Sequence, residues 1–195
     1  MYFLWILTMT FLSKIWYNNK RKSERGARGM YQVGEKLLYG TEGVCRIDEI
    51  CEMKIGAAKT KYYVLRPIYR EGSTVFVPVD NEALTAKMRP LLTAEEIDAL
   101  LKEVSGEETV WIEEASERKA QFQQAMLGNE RREILRMLRT LYLRRKKLQA
   151  AGKHLRSNDD QMLRDAEKLL GDEFALVLGI RPREVPEYIR EHLNL

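Results

Sequence analysis

Residues 130–151 constrain the fold more tightly than any other stretch of this chain. Laid out at 100° per residue, Ile134, Leu135, Met137, Leu138, Leu141, Tyr142 and Leu148 share one broad side of a helix, and Arg132, Arg136, Arg139, Lys146 and Lys147 gather on the other. The apolar side must be covered by other helices. The basic side raises a different question, because solvated faces ordinarily mix signs in i,i+4 pairs. From Glu114 to Lys147 the only later acids are Glu117, Glu130 and Glu133, set against Arg118, Lys119, Arg131, Arg132, Arg136, Arg139, Arg144, Arg145, Lys146 and Lys147. Such a face reads as a surface for a phosphate backbone; a plain solvated face and an acidic protein partner are the competing readings.

The neighbouring segments supply the cover. Thr93-Ala-Glu-Glu96 is a capping box ahead of IDALLKEV, so a helix starts there and ends at Ser105 and Gly106. Trp111 follows an acidic connector, and a second helix is expected over residues 113–127, broken by Gly128 and Asn129. SNDD at 157–160 reads as a helix start with acids at the positive end of the dipole. The helix it opens places Met162, Leu163, Ala166, Leu169, Leu170, Phe174, Leu176 and Val177 on a stripe suited to the basic helix, and Gly179 closes it. Pro186 begins a last short helix. Residues 93–195 therefore read as a helical bundle.

Upstream the pattern changes period. Residues 30–92 carry a short strand, a turn at Gly40 and Gly43, a second strand with Val44, Arg46, Asp48 and Ile50 in alternation, then KTKYYVLRPIY and STVFVPVDN as further strands, the last entered by a turn at Glu71 and Gly72. Pro67 and Pro78 cannot donate to a ladder, which predicts that their strand ends lie at an edge or a bulge. Several short strands in so few residues imply a small, strongly bent barrel or half-barrel. Its exposed apolar edge can add a strand from another protein. The fold class is thus α+β, a β-barrel followed by an all-α bundle, with the boundary between Leu91 and Thr93.

Residues 1–29 match neither half. Their apolar run is short of the roughly 18–20 residues a membrane span needs, and the basic cluster KRKSERGARG follows it, where a signal peptide has its charge first. Two readings stand: a short anchor with a basic cytoplasmic flank, or upstream sequence joined by a start called too early, with Met30 as the true start. The second fits better, since neither targeting template is met.

Composition excludes more than it selects. At 195 residues, 45% hydrophobic and 32% charged, the chain has the make-up of a folded globular protein. Cys45 and Cys51 lack the spacing of zinc or redox pairs, and one bent strand can hold both as small core residues. His154 and His192 have no companion ligands, so no metal or other cofactor is expected. No phosphate loop, dinucleotide fingerprint, HExxH or GxSxG occurs, and no nucleophile–base pair is visible. The expectation is a protein that is not an enzyme and takes no small-molecule substrate.

Taken in order, these segments resemble the CarD/CdnL regulators of bacterial RNA polymerase. MYQVGEKLLYGTEGVCRIDEI looks like the family opening, KYYVLRP and STVFVPVDN are similar to its third and fourth strands, and SNDDQMLRDAEKLLGDEFALVLG looks like its closing helix. The resemblance covers residues 30–179 or so. It implies a Tudor-like (SH3-like) N-terminal domain that binds the β subunit of RNA polymerase, of the type also seen in transcription-repair coupling factors. It further implies a helical domain on promoter DNA at the upstream edge of the melted bubble, where a tryptophan wedges into the minor groove and slows collapse. That role falls to Trp111, with Arg118, Lys119, Arg132, Arg136, Arg139, Lys146 and Lys147 on the phosphates. The implied protein is a cytoplasmic, nucleoid-associated monomer.

Two departures matter. The family tryptophan usually sits about one helical turn nearer to the segment matched by Arg118 and Lys119 than Trp111 does. Trp111 is then either the wedge from a shifted position or a capping core residue. Where some relatives contact polymerase through arginines on the second and fourth strands, this chain has Met53 and Phe76. Strand pairing through Thr74, Val75, Phe76 and Val77 would then carry more of the binding, unless Phe76 is ordinary barrel core.

Overall fold

The computed structural model describes residues 31–55, 58–70, 72–128 and 130–195. The readings of residues 1–29 and of Met30 as the start fall outside them; among the described residues no helix is long and apolar enough to cross a membrane. The layout is α+β, an antiparallel five-stranded sheet followed by helices. The strands are β1 (Lys36–Tyr39), β2 (Val44–Ile55), β3 (Ala58–Pro67), β4 (Val75–Pro78) and β5 (Met88–Pro90), in the order β4-β3-β2-β1-β5. The expected strands are all present. β5 was not foreseen, because three residues between a short helix and a loop carry no alternation to read.

The β1–β2 connection is a single 3-10 turn (Gly40–Glu42) closed by Tyr39 N–H donating to Gly43 O at 3.0 Å. Further on, a bulge shifts the register between Ile47 and Glu49. It separates Cys45, fully buried, from Cys51, half-buried, so one bent strand does hold both cysteines. Burial pushes the Cys45 thiol up to about 11, which keeps it protonated and inert. Pro78 ends β4 at the outer edge of the sheet, as its missing N–H requires. Pro67 departs from expectation: it ends the interior strand β3 opposite Cys45, and Ile68 N–H takes up the pairing by donating to Val44 O at 2.8 Å. A strand terminus tolerates proline even inside a sheet, because only one ladder bond is forgone.

The helices are α1 (Glu82–Thr85), α2 (Ala94–Ser105), α3 (Ala115–Gly128), α4 (Arg131–Ala150), α5 (Ser157–Leu178) and α6 (Val185–His192), with a 3-10 turn at Pro182–Glu184 before the last. The Thr93 capping box forms in both directions: its hydroxyl accepts from Glu96 N–H at 3.2 Å, and the Glu96 carboxylate accepts from Thr93 N–H at 2.8 Å. Every apolar residue assigned to the middle of α4, Ile134 through Tyr142, is at most 3% exposed. Helix α5 packs along α4, and Gly179 ends it in the left-handed conformation at φ +68°. The start of α5 differs from expectation. Arg156 is the cap residue, no side chain caps the helix, and Ser157 is already helical. Two hydrophobic clusters result, one inside the sheet around Leu37, Ile47 and Leu65, the other among the helices around Leu138, Leu141 and Phe174.

The sheet and the bundle meet along a polar seam. Glu173 on α5 is fully buried, and Arg131 at the start of α4 grips it with two hydrogen bonds of 2.7 and 2.6 Å. The same guanidinium donates to Pro90 O at 2.9 Å, and Leu92 N–H donates to Glu173 at 3.0 Å. Arg89 adds a pair with Glu130. On the other side of the sheet's exit, Gly43 faces Asp172 so closely that a Cβ would lie 2.8 Å from its carboxylate. Gly43 has φ +78° and ψ −148°, a region essentially reserved for glycine. Gly43→Ala is therefore expected to lose about 1–3 kcal/mol from backbone strain alone, read as a lowered denaturant midpoint; an unchanged midpoint would mean that the turn relaxes without cost.

Candidate nucleic-acid interface and docking edge

Four groups of residues were expected to face DNA, and the structure treats them differently. Arg118 does not face solvent. At 3% exposure it forms a bidentate pair with Asp159 at the start of α5, Nε to Oδ1 at 2.9 Å and Nη2 to Oδ2 at 3.0 Å. Its Nη1 donates to Ile112 O at 2.6 Å and Glu113 O at 3.2 Å, so it ties the Trp111 connector to α5. Among the expected phosphate contacts, Arg118 is thus spent inside the fold.

Trp111 is half-buried against the helical core. The Arg118 guanidinium lies 4.4 Å and that of Arg144 4.7 Å from the indole centroid, two cation–π contacts that hold the ring. The ring is both packed and placed beside arginines, so features of each reading of Trp111 coexist at one residue.

Arg132, Arg136 and Arg139 lie on one face of α4 but are not unrelieved. All three converge on Glu107, in the connector after α2. Arg132 donates to its carboxylate at 2.6 Å, Arg136 to the other carboxylate oxygen, and Arg139 to its backbone carbonyl. Glu103 at 3.1 Å from Arg132 and Glu133 at 3.1 Å from Arg136 complete the neutralisation. Burial pushes the Glu107 carboxyl up, but the hydrogen bonds and charges of Arg136 and Arg132 outweigh it and hold the group below the usual carboxylate range. The helical wheel could not show this, because the acids that relieve α4 come mostly from another element.

Lys119, Lys146 and Lys147 are exposed, with no ion pair among the described residues. The last two belong to a larger cationic end of the bundle. Residues 144–156 run from the end of α4 through the turn into α5 and carry Arg144, Arg145, Lys146, Lys147, Lys153 and Arg156 without one carboxylate. Lys153 and Arg156, both exposed, were overlooked because they lie past the helix whose periodicity drew attention. Cations at a helix C-terminus also suit its dipole. Trp111 is joined to this end through Arg144, which also lies 3.7 Å from the Glu113 carboxylate.

In the sheet, β4 forms one edge. Its pairing with β3 places Phe76 opposite Val64 and Val77 opposite Tyr63. Phe76 is 49% exposed, so it is not barrel core; Val77, fully buried, is. Thr74 is exposed just ahead of the strand, Val75 is half-buried, and Met53 is half-buried opposite Thr60 on the long β2–β3 ribbon. Among the described strands β4 has no neighbour on its outer side, and one exposed aromatic side chain lies on it. That is the arrangement strand addition uses.

No curated protein matches the chain. Residues 31–92, which hold all five strands, match the family model described as the CarD-like/TRCF RID domain, an RNA polymerase-interacting domain and a protein-interaction module rather than an enzyme.

Proposed function

We propose that this protein is a non-enzymatic regulator of transcription. The barrel docks on RNA polymerase, at the β subunit, through the β4 edge and Phe76. The cationic end of the bundle holds promoter DNA by its phosphates, with Trp111 as the wedge that stabilises the open complex. The observation that carries this reading is the match of residues 31–92 to a polymerase-interacting domain, joined through a polar seam to a helical body whose residues 144–156 hold six cations and no acid. Phosphate contacts position the protein without selecting sequence, so the same factor would serve many promoters.

The test is the lifetime of the open complex formed by the cognate polymerase, with and without the protein. A lengthened lifetime is expected, and Trp111→Ala is expected to shorten it about 5–150-fold, the range for a coupling of ~1–3 kcal/mol, while polymerase capture is unchanged. If Trp111→Ala lowers the melting temperature and leaves the lifetime alone, the indole is a core residue and not the wedge. No capture of polymerase by the full chain would overturn the reading as a whole.

A further inference from the structure

We infer that the Arg132, Arg136 and Arg139 row is an anion site whose resident occupant is Glu107, and that a DNA backbone phosphate takes the place of this carboxylate. The inference rests on the DNA-binding reading above and adds a competition within it. Three guanidiniums from successive turns of α4 point at one residue, which is how a protein builds a receptor for a tetrahedral anion. The occupant under-fills it. Glu107 supplies two carboxylate oxygens and one carbonyl to three groups with five N–H donors each; Glu103 adds a contact to Arg132 and Glu133 one to Arg136, but Arg139 has no second acid and its Nε is left buried without a partner among the described residues. A backbone phosphodiester matches the carboxylate in charge and in its two non-bridging oxygens, and its advantage is that it is tied to further phosphates that reach the same helix face.

The exchange has a structural consequence. Glu107 lies in the connector that runs from the end of α2 to Trp111, and it is that connector's main polar attachment to α4. Displacing Glu107 therefore loosens the segment that carries Trp111, while Arg118 keeps its far end pinned through Ile112 and Glu113. Phosphate binding at the row and movement of the connector become one event.

The experiment compares full-length wild type, Glu107→Gln and Glu108→Gln for binding a short duplex of mixed sequence at fixed salt. Glu108 is exposed, pairs with none of these arginines and reports the effect of losing a charge anywhere nearby. Glu107→Gln is expected to tighten binding about 5–20-fold, within the range of an ordinary coupling, and Glu108→Gln less than about twofold, as general screening would give. Amide hydrogen exchange in residues 106–112 of the wild type is expected to rise when the duplex is added. Equal affinity of Glu107→Gln and wild type, or connector exchange unchanged by DNA, would overturn the competition while leaving DNA binding intact. No duplex binding by the wild type at low salt would remove the DNA reading itself, and the inference with it.

Discussion

Glu173→Ala is expected to be the most damaging single substitution in the chain, lowering the unfolding free energy by about 3–5 kcal/mol, the usual loss when one member of a buried ion pair is removed. Glu173 is fully buried and accepts two hydrogen bonds from Arg131 and one from Leu92 N–H. Truncation leaves a guanidinium, 12% exposed, without its counter-charge, and a backbone donor without an acceptor. For a chain of this length the melting temperature is expected to fall by about 6–20 °C, taking 2–4 °C per kcal/mol. Denaturant unfolding read by circular dichroism measures it. A loss below about 1 kcal/mol would show that Arg131 swings out to water and that the pair contributes little.

The second large effect concerns function. Lys146→Glu with Lys147→Glu is expected to weaken duplex binding about 30-fold at physiological salt, and to lower the slope of log affinity against log salt by about 2, one unit for each lost phosphate contact. Both lysines are exposed and free of ion pairs among the described residues, so neither must give up an internal partner to reach a phosphate. Arg132→Glu with Arg136→Glu would, from sequence alone, be expected to abolish DNA binding. The structure makes its expected effect the smaller one, because each arginine must first release Glu103, Glu107 or Glu133 to reach a phosphate, which offsets part of what the contact contributes. A filter-binding or anisotropy titration at several salt concentrations separates the two variants; an unchanged slope for the lysine pair would move the DNA surface elsewhere.

Local patterns were legible in the sequence, and long-range charge pairing was not. The Thr93 box, the buried side of α4 and the glycine end of α5 each depend on residues within a few positions of one another, and each forms as read. The partners of Arg118 and Arg131 lie 41 and 42 residues away, at Asp159 and Glu173. Nothing in the periodicity of α3 or α4 distinguishes an arginine that will be buried from one that will be solvated. One signal was available. Glu173 falls between Leu170 and Phe174, on the side of α5 that must face the core, and a carboxylate there demands a cation. The same reasoning explains the start of α5: Asp159 suits a helix N-terminus, yet the guanidinium of Arg118 reaches it and draws it inward. The expectation for Phe76 stayed open for a related reason. Alternation assigns a residue to one of two faces but does not say whether an edge strand has anything packed on the second.

The seam between sheet and bundle has a mechanical meaning. Arg131, Glu173, Pro90 and Leu92 form a weld rather than a hinge, because Arg131 and Glu173 are joined to each other by two hydrogen bonds and each reaches one more group, Arg131 the Pro90 carbonyl and Glu173 the Leu92 N–H. With its barrel held by a large enzyme, such a molecule behaves as a bracket of fixed length and fixed angle. On the proposed reading it would present its cationic end at one distance and in one rotational phase relative to the double helix. Torsional strain in the DNA would then be carried by the bracket instead of being absorbed by the joint.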